Sequence, residues 1–270
     1  MIEQPGQRRR IAQRPPPLLV GLGLLGAAMF TLPLLGLLSR TPWADLPRLL
    51  TSPMVTEALH LSLITSICSS VIAALVGVPL AWLLARVEFP GRSLVRAIVT
   101  LPMVLPPVVG GAALLFAFGR RGLLGGPIYE SSGLLLPFST WGVVMATSFV
   151  AVPFLVISVE GALRNLDQRY EAAAATLGAR PWTVVRRITL PMIGPSLAAG
   201  LVLAWARAFG EFGATVTFAG NLQGRTQTLP LAVFVALESD RDIAVAISLA
   251  MVLVSLAVLL ALRDRWWGTT

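Results

Sequence analysis

Six apolar stretches of about 20 residues, each bounded by arginine or by proline and glycine clusters, set the possible folds of this chain. They run from Leu18 to Ser39, Ala58 to Ala85, Arg96 to Phe118, Leu134 to Ser158, Met192 to Phe218 and Ile243 to Leu262. A helix rises 1.5 Å per residue, so each stretch is long enough to cross a hydrocarbon core of about 30 Å. Backbone polar groups in lipid must be satisfied internally, which makes each stretch a helix. The first follows Arg8, Arg9, Arg10 and Arg14 as a secretory signal would. At about 22 residues it exceeds an export signal's apolar region, and no small-x-small cleavage site follows, so it reads as a retained helix. The expected fold is an all-α integral membrane protein with six transmembrane helices.

Composition removes the competing classes. Charged residues are 13% of the chain and hydrophobic ones 56%, too oily for a soluble domain or for disorder. The net charge of +8 is spread too thinly for a nucleic-acid face. Cys68 and His60 are the only residues of their types, so neither a disulfide nor a Cys/His metal cluster is expected. Every basic residue is arginine. Without lysine there is no Gly-Lys-Ser/Thr phosphate loop, and energy for any transport must come from another chain or an ion gradient.

Arginines near span ends are retained in the cytoplasm and so orient the chain. With the N-terminus inside, the inner segments hold Arg8, Arg9, Arg10, Arg14, Arg86, Arg92, Arg96, Arg164, Arg169, Arg180, Arg186, Arg187, Arg263 and Arg265. The outer segments hold only Arg40, Arg48, Arg120, Arg121, Arg225 and Arg241. Both termini are therefore expected in the cytoplasm, as an arm over residues 1–17 and a tail over 263–270. The inner excess accounts for the whole +8, because acidic residues cancel the outer arginines and Glu211 cancels Arg207. The basic balance is thus a signal of orientation.

The inner segment 164–191 reads as a stiff elbow. Asp167 is a plausible N-cap, the run Glu171, Ala172, Ala173, Ala174 has high helix propensity, and Gly178 supplies a left-handed stop. Pro181 suits the first turn of a second helix, with Trp182, Val185 and Ile188 on one side. The segment resembles the Glu-Ala-Ala loop of binding-protein-dependent ABC importer permeases: Glu-Ala-Ala, three residues, Gly, nine residues, Ile-x-Leu-Pro. Gly178, Ile188, Leu190 and Pro191 match in spacing. Glu171 lies one residue early, so Ala172 holds the usual glutamate slot.

Charges and prolines also interrupt the spans. Arg207 and Glu211 are four apart, which on a helix places them on one face, within reach of each other. The pair reads equally as a structural lock between two spans or as part of a gate or pathway. Gly210 and Gly213 beside it mark either close packing or local unwinding. In span three, Pro102, Pro106 and Pro107 precede Gly110 and Gly111 and imply a kink or a broken helix. Ser62, Thr65, Ser66, Ser69 and Ser70 give span two a weakly polar face, read first as hydroxyls bonding back or joining neighbours.

The stretches Leu101 to Gly111 and Ala206 to Thr215, with Gly220-Asn221 and Thr228-Leu229-Pro230-Leu231, are similar to those of molybdate and tungstate permeases and, more loosely, sulfate permeases. The resemblance implies an ABC type-1 importer permease fold over residues 57–262, preceded by a first helix at 18–39. It implies coupling to an ATPase through Glu171, Ala172, Ala173, Ala174, Gly178, Ile188, Leu190 and Pro191. The pathway or gate would then involve Arg207, Glu211, Gly210, Gly213, Thr215, Pro106 and Pro107. Implied partners are a second copy of this chain, a cytoplasmic ATPase dimer that binds ATP and Mg, an extracytoplasmic oxyanion-binding protein and membrane lipid. No cofactor or metal is expected on this chain, which is read as a permease and not an enzyme. Molybdate is the expected cargo, with tungstate or sulfate as alternatives and a gradient-driven secondary transporter as the rival mechanism.

Overall fold

A computed structural model describes residues 16–267; the arginines of the N-terminal arm and the last residues of the tail, 268–270, lie outside the described residues. Two units can be distinguished, residues 1–41 and 42–270. Within the described part of the first, α1 (Pro17–Arg40) is one uninterrupted 24-residue helix, about 36 Å long. Pro17 opens it where a missing N–H costs nothing, and all its leucines but the half-buried Leu37 are exposed.

The second unit is helical throughout its described residues. After a short α2 (Leu46–Leu50), α3 (Pro53–Arg86) runs for 34 residues, longer at both ends than the expected span. A π-helical turn at Ala73–Gly77 lies just before Pro79. Proline has no N–H and its ring collides with the carbonyl four residues back, and the widened turn takes up that conflict. The third expected span is a broken helix. Its halves, α4 (Arg92–Met103) and α5 (Pro107–Phe118), meet at 117°. Each is about 18 Å long, so neither crosses alone.

A short α6 (Gly125–Ser132) leads to α7 (Thr140–Asn165), which lies further along the chain than its apolar window because Ser139 caps it, accepting the Gly142 N–H at 3.1 Å. Helix α7 is the centre of the unit, with 67% of its apolar window buried. The helices of segment 164–191 are α8 (Arg169–Thr176) and α9 (Pro181–Met192), and α9 bends by 72° into α10 (Gly194–Phe209). Close packing of α10 on α7 depends on Gly200, where a Cβ would stand 2.8 Å from Ser158 Cβ. The remaining elements are α11 (Gly213–Phe218), α12 (Leu229–Ser239) and α13 (Arg241–Trp267). With each bent pair counted as one crossing, the described residues hold six candidate spans.

Three apolar clusters hold these helices together. One joins Ala81 and Leu84 of α3 to Leu155, Val159 and Leu163 of α7 and Ala204 of α10. Another joins Val55 and Ala58 of α3 to Leu229 and Ala236 of α12 and Ile247 of α13, and the third joins Leu114, Val150 and Phe218. The hydroxyl face of α3 is structural glue. Ser69 Oγ and Thr147 Oγ1 share a 2.6 Å hydrogen bond, Thr65 donates back to Leu61 O at 2.8 Å, and Ser62 Oγ accepts the Leu229 N–H that opens α12. Helix α12 was not expected from hydropathy: at about 16 Å it is too short to span.

Candidate functional site

The elbow is built as its residue types dictate. Helix α8 ends in a Schellman motif, with Gly178 at φ +80°, its N–H donating to Ala175 O and the Ala179 N–H donating to Ala174 O, each at 3.0 Å. At the other end Gln168 is the N-cap and Asp167 lies one residue outside it, accepting the Arg169 N–H at 3.0 Å. Ala172, Ala173 and Gly178 are exposed, Ala174 is half-buried, and Leu177 at the apex is 88% exposed. Leu177 thus leaves an apolar side chain exposed at the turn between α8 and the next helix.

In α9 a second π-helical turn, Val185–Thr189, alters the expected side-chain register. Trp182 and Val185 line an apolar cleft of about 400 Å³ against Val78, Pro79 and Trp82, but Thr189 joins them in place of Ile188. Ile188 and Leu190 are half-buried and Pro191 is exposed.

Glu171, one residue off the usual slot, is fully engaged. Its carboxylate pairs with Arg86 Nη2 at 3.2 Å and accepts the Thr189 hydroxyl at 2.7 Å. A second carboxylate works nearby along α7. Glu160, 6% exposed, accepts from Arg96 Nε at 2.9 Å and pairs with Arg164 Nε at 3.3 Å. Arg92 and Arg96 also donate to Leu84 O, at 2.8 and 3.3 Å, satisfying an end carbonyl of α3. Glu160 and Arg164 are four apart on one helix, so that pairing is legible in the sequence. Arg86 and Glu171 are 85 residues apart, and no local pattern announces them.

The second candidate site is where the two broken spans meet. Helix α10 stops at Phe209, so Glu211 does not share a helical face with Arg207 but stands in the break. The Arg207 guanidinium still reaches the Glu211 carboxylate, which is 1% exposed. The other Glu211 oxygen accepts the Ala214 N–H at 2.7 Å and so caps α11. The pair therefore bridges a break within one span and does not lock two spans together. Gly210 lies in the unwound segment, whereas Gly213 packs closely: a Cβ there would be 2.7 Å from Pro107 Cβ. One turn further on, a Cβ at Gly111 would meet Thr217 Cβ at 2.7 Å and Ala214 O at 2.8 Å. Both contacts advance in the same chain direction, so α5 and α11 pack in parallel, break against break.

Pro106 and Pro107 are exposed at this junction, and Thr215 is buried with its Oγ1 unpartnered. Arg207 retains 27% side-chain exposure. The arrangement therefore offers a partly exposed cation beside a neutralising carboxylate, next to the point where both spans break. No cluster of three or more metal-ligating side chains occurs among the described residues.

The model of the family described as "Binding-protein-dependent transport system inner membrane component" matches residues 77–265. The molybdenum transport system permease protein ModB of Mycobacterium tuberculosis is 48% identical over 242 residues, covering 90% of this chain and 91% of that protein. The sulfate transport system permease protein CysT of Escherichia coli K12 is 34% identical over 223 residues, covering 83% and 80%. Among solved structures, a bacterial alginate ABC transporter in complex with an alginate-bound periplasmic protein aligns with a TM-score of 0.72 at 21% identity, covering 90% of this chain and 92% of that one, a likeness of fold.

Proposed function

The chain belongs to the binding-protein-dependent transport system inner membrane components, and on that premise we propose that it carries molybdate into the cell as the permease subunit of an ABC importer. As a multi-pass cell-membrane protein it performs no chemistry itself. ATP and Mg belong to a separate ATPase dimer beneath it, a second copy of the chain completes the path, and an extracytoplasmic oxyanion-binding protein delivers the cargo. The observation that carries the energy coupling is the exposed elbow, whose apolar apex at Leu177 projects from an α8 held firmly behind it by Glu171. The greater identity with the molybdenum permease than with the sulfate permease supports molybdate as cargo.

In this reading Ala172, Ala173, Ala174, Gly178, Ile188, Leu190 and Pro191 form or support the face that seats on the ATPase. Arg207, Glu211, Gly210, Gly213, Thr215, Pro106 and Pro107 form the moving junction of the path. Arg207 offers a transient contact to the dianion, and Glu211 offsets its charge so that the anion is not trapped. Orientation follows the arginine bias, with the elbow and both termini in the cytoplasm.

Cys68 is the only native cysteine, so Cys68→Ser gives a clean background for site-specific crosslinking. A cysteine in place of Ala173 is expected to crosslink to the co-expressed ATPase subunit in a nucleotide-dependent way. One in place of Leu123, 82% exposed in a predicted outer segment, is expected not to. No product from the Ala173 position under any nucleotide condition would contradict the coupling assignment.

A further inference from the structure

Glu171 faces into the protein, and three elements converge on its carboxylate. Arg86 comes from the last turn of α3, Thr189 from the π-helical turn of α9, and Glu171 itself from α8. The Arg86 and Glu171 side chains are only 11% and 23% exposed, so each would leave a largely desolvated charge behind if the other were removed. Arg86 Nε is already buried without a partner, which leaves the guanidinium dependent on Glu171 as its acceptor. Beside this contact lies the 400 Å³ apolar cleft between α3 and α9, with Pro79 and Trp82 on one wall and Trp182 and Val185 on the other. An open cleft resists relative motion poorly, and Glu171 of α8 bridges its two sides, paired with Arg86 of α3 and accepting the hydroxyl of Thr189 of α9.

We infer that Glu171 is a positioning residue that pins the elbow to α3 through Arg86 and to α9 through Thr189. A pull on the elbow then moves α3 as well as the sequence-adjacent α10. The carboxylate acts inside this chain, and contact with the ATPase is left to the exposed residues that follow it. This assignment rests on the reading of the chain as an ATP-driven permease. It gives the early placement of Glu171 a physical reason: the shift of about 100° along α8 turns the carboxylate from the outer face of the elbow toward Arg86.

The test uses the full complex, with the partner ATPase and the oxyanion-binding protein, reconstituted in liposomes with molybdate. Glu171→Gln and Arg86→Met are each expected to lower the ratio of molybdate-stimulated to unstimulated ATP hydrolysis about tenfold, with the ATPase still co-purifying. The double variant is expected to fall no further than the worse single, because both remove the same contact. Thr189→Val, which keeps the side-chain shape, is expected to lower the ratio in the same direction by a smaller factor. Two results would overturn the inference: an unchanged ratio in all the variants, or loss of ATPase co-purification in Glu171→Gln but not in Arg86→Met, which would place Glu171 on the partner. If the wild-type complex shows no ATP-driven molybdate uptake, the functional reading fails and the pin's coupling role falls with it.

Discussion

Replacing Glu211 with alanine is expected to abolish uptake and to destabilise the protein by about 3 kcal/mol, the lower end for breaking a buried ion pair. The carboxylate is 1% exposed and does two jobs, pairing with Arg207 and capping α11 through the Ala214 N–H. Alanine leaves the guanidinium without a counter-ion and the amide without an acceptor. The partial exposure of Arg207 lets water recover some of the loss, which is why the lower end applies. A change of that size shifts any conformational equilibrium it biases by about two orders of magnitude. Glu211→Gln keeps an acceptor for Ala214 and should be milder in thermal unfolding of the detergent-solubilised protein. Equal stability of Glu211→Ala and wild type would mean that the pair does not hold the break.

The second large effect is expected at Gly111. A methyl group there would stand 2.8 Å from Ala214 O and 3.0 Å from Ala214 Cα, backbone atoms that no rotamer change can move aside. Helices α5 and α11 must separate, so Gly111→Ala should cost about 1–3 kcal/mol, as overpacking does, and Gly111→Leu should prevent a folded protein. The neighbouring glycine is the control. At Gly110 the nearest obstacle is Phe149 Cε1 at 3.1 Å, the edge of a ring that can turn, so Gly110→Ala should cost less than about 1 kcal/mol. Stability and uptake measured on both variants test the break-against-break packing, and equal costs would contradict it.

Hydropathy made the spans legible because lipid demands long apolar helices, and Gly178 made the elbow legible because an αL position after an alanine run demands glycine. The depth of the breaks was less visible. Pro106 with Pro107, and Gly210 beside Glu211, marked an interruption, but apolar residues continue on both sides of each, so local pattern did not separate a kink or close packing from a full break. Periodicity also misjudged the elbow's second helix, since the π-helical turn put Thr189 where a 3.6-residue repeat puts Ile188. The four-residue spacing of Arg207 and Glu211 implied a shared helical face, yet the pair forms across a break, because Gly210 ends the helix while the chain stays compact. Contacts between residues far apart in the chain, Arg86 with Glu171 and Ser62 with the Leu229 N–H, follow from topology and have no local signature.

The central claim is that ATP hydrolysed by a separate subunit drives oxyanion entry through this chain. Its most direct test is labelled molybdate uptake into vesicles holding the permease, its ATPase and the binding protein. Uptake is expected to require ATP and the ATPase, to survive a protonophore, and to yield to competition by tungstate before sulfate. Uptake that persists without ATP and the ATPase but collapses with a protonophore would contradict the account and make Arg207 and Glu211 an ion-coupled pair.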